Sequence, residues 1–129
     1  MILIVDENAD LAETCGMLLR VCGYEVAVAV GCKSAMEMMH VRQPRLLVLD
    51  CRMPGMTGLQ LCDYLHEVHG TVPFPILLMS ALPRHLAAPC REGDHFLQKP
   101  FLAETLLGQV RTLIGAPRAL SVAAPKTIH

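Results

Sequence analysis

Four short runs in this chain each end on a polar residue able to do chemistry: "ILIV" before Asp6 and Glu7, "LLVL" before Asp50, "ILLM" before Ser80, and "FLQ" before Lys99. Short apolar runs separated by amphipathic segments of helical length predict a parallel sheet covered on both faces, whose strands are buried on each side and lose polar alternation. Parallel strands all point the same way, so the polar residues meet at one edge, the edge where open α/β sheets bind ligands. Three carboxylates, a hydroxyl and an ammonium gathered there suit a divalent cation and a phosphoryl group. Hard oxygen ligands favour Mg²⁺, and a cation with a hydroxyl favours phosphate oxygens.

The chain has room for one such sheet. At 129 residues and 53% hydrophobic content it buries a real core but leaves no space for a second domain of ordinary size. We expect a domain over residues 1–115, followed by a flexible tail or the start of a linker over 116–129, where "APRALSVAAPKTIH" has no usable period. Lys and Arg total 11 against 12 for Asp and Glu, so there is no basic footprint for direct nucleic-acid binding. No apolar stretch approaches the roughly 20 residues of a membrane span. The chain enters a strand at once and reaches acids by Asp6, unlike a secretory signal, so the expected compartment is the cytoplasm.

The cysteines Cys15, Cys22, Cys32, Cys51, Cys62 and Cys90 contain no Cys-x-x-Cys pair and sit mostly among apolar neighbours, which reads as core thiols rather than a disulfide or zinc framework. His66 and His69 lie one helical turn apart, a spacing that a solvated helix face explains without a metal.

Between the runs, the spacing of apolar residues predicts helices. "NADLAETCGMLLRVCG" puts Leu11, Cys15, Leu18, Leu19 and Cys22 on one face, with Asn8 as N-cap and Gly23 as stop. "YEVAVAV" is a second strand, broken at Gly31. A helix from about Ser34 to Val41 turns Ala35, Met38 and Met39 inward, and Pro44 ends it. "RMPGMTG" is a tight loop, followed by a helix over Gly58–His69 that buries Leu59, Cys62 and Leu65. His95–Gln98 is the short fifth strand, and "LAETLLGQVRTLIG" is a last helix with Leu102, Leu106, Val110, Leu113 and Ile114 apolar.

In this order, the acid pair Asp6-Glu7, Asp50, "MPGMTG" at Met53 to Gly58, Ser80-Ala81 and "KPF" at Lys99 to Phe101 resemble the response-regulator receiver domains of two-component signalling. The resemblance runs from Met1 to about Gly115. It implies a flavodoxin-like, doubly wound five-stranded parallel sheet of order 2-1-3-4-5, with its switch point between strands one and three, where Asp6 and Asp50 stand. It implies a signalling phosphoacceptor rather than an enzyme acting on other substrates. Its partners would be a sensor histidine kinase or phosphotransfer protein and a downstream target. Pairing with a second copy stays open.

The chemistry stands beside the resemblance. Asp6, Glu7 and Asp50 crowded together repel by roughly 1–4 kcal/mol per pair, so a cation must offset them. Mg²⁺ fits, being held through one or two carboxylates plus phosphate oxygens and waters. Asp50 would be the nucleophile that accepts a phosphoryl group. Lys99 would stabilise charge on the transferring oxygens, with the Ser80 hydroxyl bonding one of them. The resemblance adds the Arg52 backbone carbonyl as a metal ligand, Ser80 and Phe96 as the switch pair, and a cis Lys99-Pro100 bond. Taken singly, the acids would be turn-formers and caps after strands. It is their company with Ser80 and Lys99 on separate strand ends that favours a site.

Several residues depart from the family pattern. Glu7 and Thr57 stand where Asp is common, Phe96 lacks a tyrosine hydroxyl, and Arg52 puts a large cation at the rim. The interval 81–98 carries Pro83 and Pro89, so a full fourth helix hardly fits, and a short, irregular one is expected over Leu82–Gly93. That region makes a second reading thinkable, a receiver fold serving as an interaction module without phosphorylation. A haloacid-dehalogenase type of enzyme would need an acid two residues after its nucleophile, where Arg52 stands.

Overall fold

A computed structural model describes residues 1–51, 57–82 and 95–117. Five strands form one parallel sheet: β1 (Ile2–Val5), β2 (Val26–Ala29), β3 (Leu46–Asp50), β4 (Ile76–Ser80) and β5 (His95–Gln98), in the order β2-β1-β3-β4-β5. Every neighbouring pair is parallel, with Ile2 level with both Val26 and Leu46, Asp50 with Met79, and Ser80 with Gln98. The parallel sheet is what the runs predict, and its doubly wound order is the one the family resemblance implies.

The absence of polar alternation has a direct structural cause. Leu3, Val5, Leu47, Leu49, Ile76 and Leu78 face one buried core. Ile2, Ile4, Leu46, Val48, Leu77 and Met79 face the other. Successive strand residues point to opposite faces, and here both faces are covered. Helices α2 (Cys32–Val41) and α3 (Gly58–His69) close the first core through Cys32, Ala35, Leu61, Cys62 and Leu65. Helices α1 (Ala9–Val21) and α4 (Ala103–Ile114) close the second through Ala12, Cys15, Leu19, Leu106 and Val110.

The helix ends show where sequence periodicity was informative and where it was not. Asn8 caps α1 as expected, its side chain accepting from the Leu11 N–H at 3.1 Å. Helix α2 starts at Cys32, earlier than Ser34, because the buried Cys32 side chain extends the inner stripe one turn back from Ala35. Strand β2 is shorter than "YEVAVAV" suggests. Tyr24 is drawn into the core, where its hydroxyl donates to the Gly115 carbonyl at 2.7 Å, and Val30 is exposed. Leu102, read as one of the apolar residues of the last helix, is 65% exposed because it is the extended N-cap of α4 rather than part of its apolar face. The expected short helix over 82–93 lies, apart from Leu82, outside the described residues, as do residues 118–129 of the expected tail.

Candidate functional site

The carboxyl ends of β1, β3 and β4 and the residue after β5 bring Asp6, Asp50, Ser80 and Lys99 to one edge. Asp6, Asp50 and Ser80 are the buried polar residues of the described chain, at 1%, 7% and 3% exposure. Burying a carboxylate costs free energy unless it is paired and hydrogen-bonded. Here one ammonium serves two carboxylates: Lys99 Nζ lies 2.8 Å from Asp6 Oδ2 and 3.6 Å from Asp50 Oδ1. The other Asp6 oxygen, Oδ1, accepts the Asn8 N–H at 2.9 Å. Lys99 is itself fixed by its backbone N–H, which donates to the Ser80 carbonyl at 2.7 Å, and the Lys99–Pro100 peptide is cis, as expected. Ser80 Oγ accepts the Leu82 N–H at 3.1 Å.

Glu7 follows Asp6 on the exposed surface. Among the described residues no group of three His, Cys, Asp or Glu side chains is placed to hold a metal. Arg52 lies outside the described residues. Phe96 is half-buried on β5, beside Leu78 of β4, and packs against the core under α2 and α3. His66 is tied to its own helix, with Nδ1 2.8 Å from the Cys62 carbonyl oxygen.

Three features of the site were not anticipated. Gly58, the first residue of α3, lies so close to β3 that a Cβ there would stand 1.9 Å from the Asp50 carbonyl oxygen. Thr57 and Gln60 form a reciprocal capping box at the start of α3: Thr57 Oγ1 accepts the Gln60 N–H at 3.2 Å, and Gln60 Oε1 accepts the Thr57 N–H at 2.8 Å. The Thr-x-x-Gln spacing was a readable signal for this motif. Finally, the Cys15 thiol feels the site: burial raises it above the ordinary cysteine range, the Asp6 charge adds to the rise, and Lys99 opposes it.

A parallel sheet with buried acids and a lysine converging on its carboxyl edge defines a class, and comparison with known proteins gives the same class. The sequence profile of the response regulator receiver domain matches residues 2–111, and the chain belongs to that family. The chain is 32% identical over 117 residues to the probable transcriptional regulatory protein TcrX of Mycobacterium tuberculosis, covering 88% of this chain and 49% of that one. It thus spans about half the length of the curated relatives it matches. Among solved structures, the receiver domain of NtrX from Brucella abortus superposes with a TM-score of 0.77 at 28% identity, covering 88% of this chain and 98% of that domain. The Vibrio cholerae chemotaxis protein CheY4 shares the fold, with a TM-score of 0.77 at 23% identity over 87% of this chain and 96% of that one. Response regulators are a signalling family of two-component systems, and among the described residues no helix is long and apolar enough to cross a membrane.

Proposed function

We propose that this domain accepts a phosphoryl group on Asp50 from the phosphohistidine of a sensor kinase or phosphotransfer protein, and passes the signal on by a conformational change. The observation that carries this reading is the single Lys99 ammonium shared by two buried carboxylates, Asp6 at 2.8 Å and Asp50 at 3.6 Å. A structural ion pair needs one acid. A second acid on a neighbouring strand end is a costly arrangement that a phosphoryl-transfer site puts to use.

The donor set fits Mg²⁺, because Asp6 and Asp50 are adjacent hard carboxylates of the kind that hold this ion together with a phosphate. When bound, the ion would offset negative charge on the phosphoryl oxygens. Asp6 and Asp50 would hold it, with the Arg52 carbonyl as a further ligand and Glu7 acting from the exposed rim. An Asp50 oxygen attacks phosphorus in line with the leaving imidazole nitrogen; the P–N bond breaks as the O–P bond forms, giving an acyl phosphate. Lys99 follows the charge from the Asp50 carboxylate to the phosphoryl oxygens. Ser80 Oγ, accepting from Leu82 N–H, keeps its own O–H to donate to one of those oxygens. Ser80 on β4, level with Gln98, and Phe96 on β5, level with Leu78, are the residues expected to report that event to the adjoining surface.

The test uses acetyl phosphate as donor with Mg²⁺ present. Intact mass should rise by one phosphoryl group for the wild type and stay unchanged for Asp50→Asn. A wild type that never gains the group would favour the phosphorylation-independent reading, and modification persisting in Asp50→Asn would move the acceptor elsewhere.

A further inference from the structure

At Gly58 the first turn of α3 meets the main chain of β3 with no side chain of its own in between. A Cβ on Gly58 would be 1.9 Å from the Asp50 carbonyl oxygen, 2.8 Å from its carbonyl carbon and 3.1 Å from Cys51 Cα. The first turn of α3 is therefore a wall against the main chain of the acceptor itself. Movement of that turn reaches Asp50 directly.

Among the described residues, a capping box and the Thr57 carbonyl tie the turn closed. Thr57 and Gln60 exchange two hydrogen bonds, and the Thr57 carbonyl accepts the Leu61 N–H at 3.0 Å and the Cys32 thiol at 3.8 Å. The two capping bonds are exposed to solvent, whereas Leu61, Cys62 and Leu65 bury the rest of the helix. Helix ends fray from the first turn when their free N–H groups lose a partner, and a Ser or Thr hydroxyl at the cap is what prevents it. The helix as a whole would survive loss of the box, since its core contacts lie farther along. Its contact with Asp50 would not stay fixed.

Taking the Asp50 acceptor reading as its basis, we infer that Thr57 and Gln60 are positioning residues for phosphoryl transfer. Their capping box holds Gly58 against Asp50 and so holds the acceptor carboxylate in line beneath Lys99. Thr57, which replaces an acid common in related loops, keeps this function through its hydroxyl.

The experiment measures acyl-phosphate formation by the full chain with acetyl phosphate and Mg²⁺, separating the maximal rate from the donor concentration at half-maximal rate. Thr57→Val and Gln60→Ala should each lower the maximal rate by about fivefold, the kinetic equivalent of a lost cap, with the half-saturating donor concentration unchanged. Thr57→Ser, which keeps the hydroxyl, should restore the rate. Tyr24→Phe, which removes a hydrogen bond at the far end of the sheet, should leave the rate alone. The inference falls if the wild type is phosphorylated and Thr57→Val matches its rate, if Thr57→Ser is as slow as Thr57→Val, or if Tyr24→Phe slows the reaction equally. A wild type that takes up no phosphoryl group instead overturns the Asp50 reading and this inference with it.

Discussion

The two ends of the sheet carry the same residue types and use them oppositely. At the carboxyl end, Asp6, Asp50 and Lys99 are packed against one another, with Asp6 1% and Asp50 7% exposed. At the amino end, Glu25 and Arg42 form a bidentate pair in open solvent. Beside it, Arg45 donates to the Ile114 carbonyl at 3.0 Å and Tyr24 to the Gly115 carbonyl at 2.7 Å. The amino-end donors complete the C-terminus of α4, whose last carbonyls have no partner within the helix. Charge at that end finishes the fold, and charge at the other end is held at a cost that folding does not require. Among the described residues no buried side-chain nitrogen or oxygen lacks a hydrogen-bond partner, so the cost of the carboxyl end lies in crowding like charges rather than in a failure of pairing.

Removing the shared cation should break this contrast most severely. Lys99→Met leaves two carboxylates without their ammonium. Deleting one partner of a buried pair costs roughly 3–5 kcal/mol, and Lys99 at 19% exposure belongs at the low end, about 3 kcal/mol. Urea unfolding should show the loss, and Asp6→Asn added to Lys99→Met should recover part of it. A Lys99→Met protein as stable as the wild type would mean the carboxyl end stores no such tension.

Gly58→Ala is expected to come next. The new methyl would collide with the Asp50 carbonyl, and overpacking of this kind costs about 1–3 kcal/mol. Thermal unfolding and phosphorylation should suffer together, because the atom displaced belongs to Asp50, the acceptor we propose. Unchanged melting would show that α3 moves away freely.

Tyr24→Phe should destabilise by about 1 kcal/mol, the net worth of one hydrogen bond, while leaving phosphorylation untouched. Loss of activity here would erase the division between the two ends.

The smallest effect belongs to Glu25. The Arg42 hydrogen bond, with its charge, holds the Glu25 carboxyl below the ordinary glutamate range. A depressed folded-state pKa gives stability that is present above the unfolded value, about 4.3, and is lost as pH falls through the folded value. Glu25→Gln should therefore slightly flatten the acid side of the stability profile and change nothing at the carboxyl end. Because the pair lies in solvent, added salt should remove even that difference.

Much of this molecule was legible because burial leaves a one-dimensional trace. The runs at Ile2–Val5 and Leu46–Leu49 are apolar at every position because both of their faces are covered, and the pattern alone called for a parallel sheet. The edge residues Asp6, Asp50, Ser80 and Lys99 followed from strand direction. Helix α3 was read with its observed bounds and with Cys62 and Leu65 buried, whereas the fully buried Leu61 was not anticipated. Leu102 was read as part of the last helix, but as its N-cap it has left the helix before its side chain can point anywhere on a helical face.

Chain chemistry by itself determined which residues would stand at the carboxyl edge, because strand direction and side-chain alternation are local properties. Only the tertiary structure decided how they meet. One lysine divides itself between Asp6 and Asp50, Glu7 stays on the surface, and a glycine lets α3 rest on the Asp50 carbonyl. Those outcomes depend on separations of a few ångströms between segments far apart in sequence. They are set by how closely two packed layers approach, which no local pattern encodes.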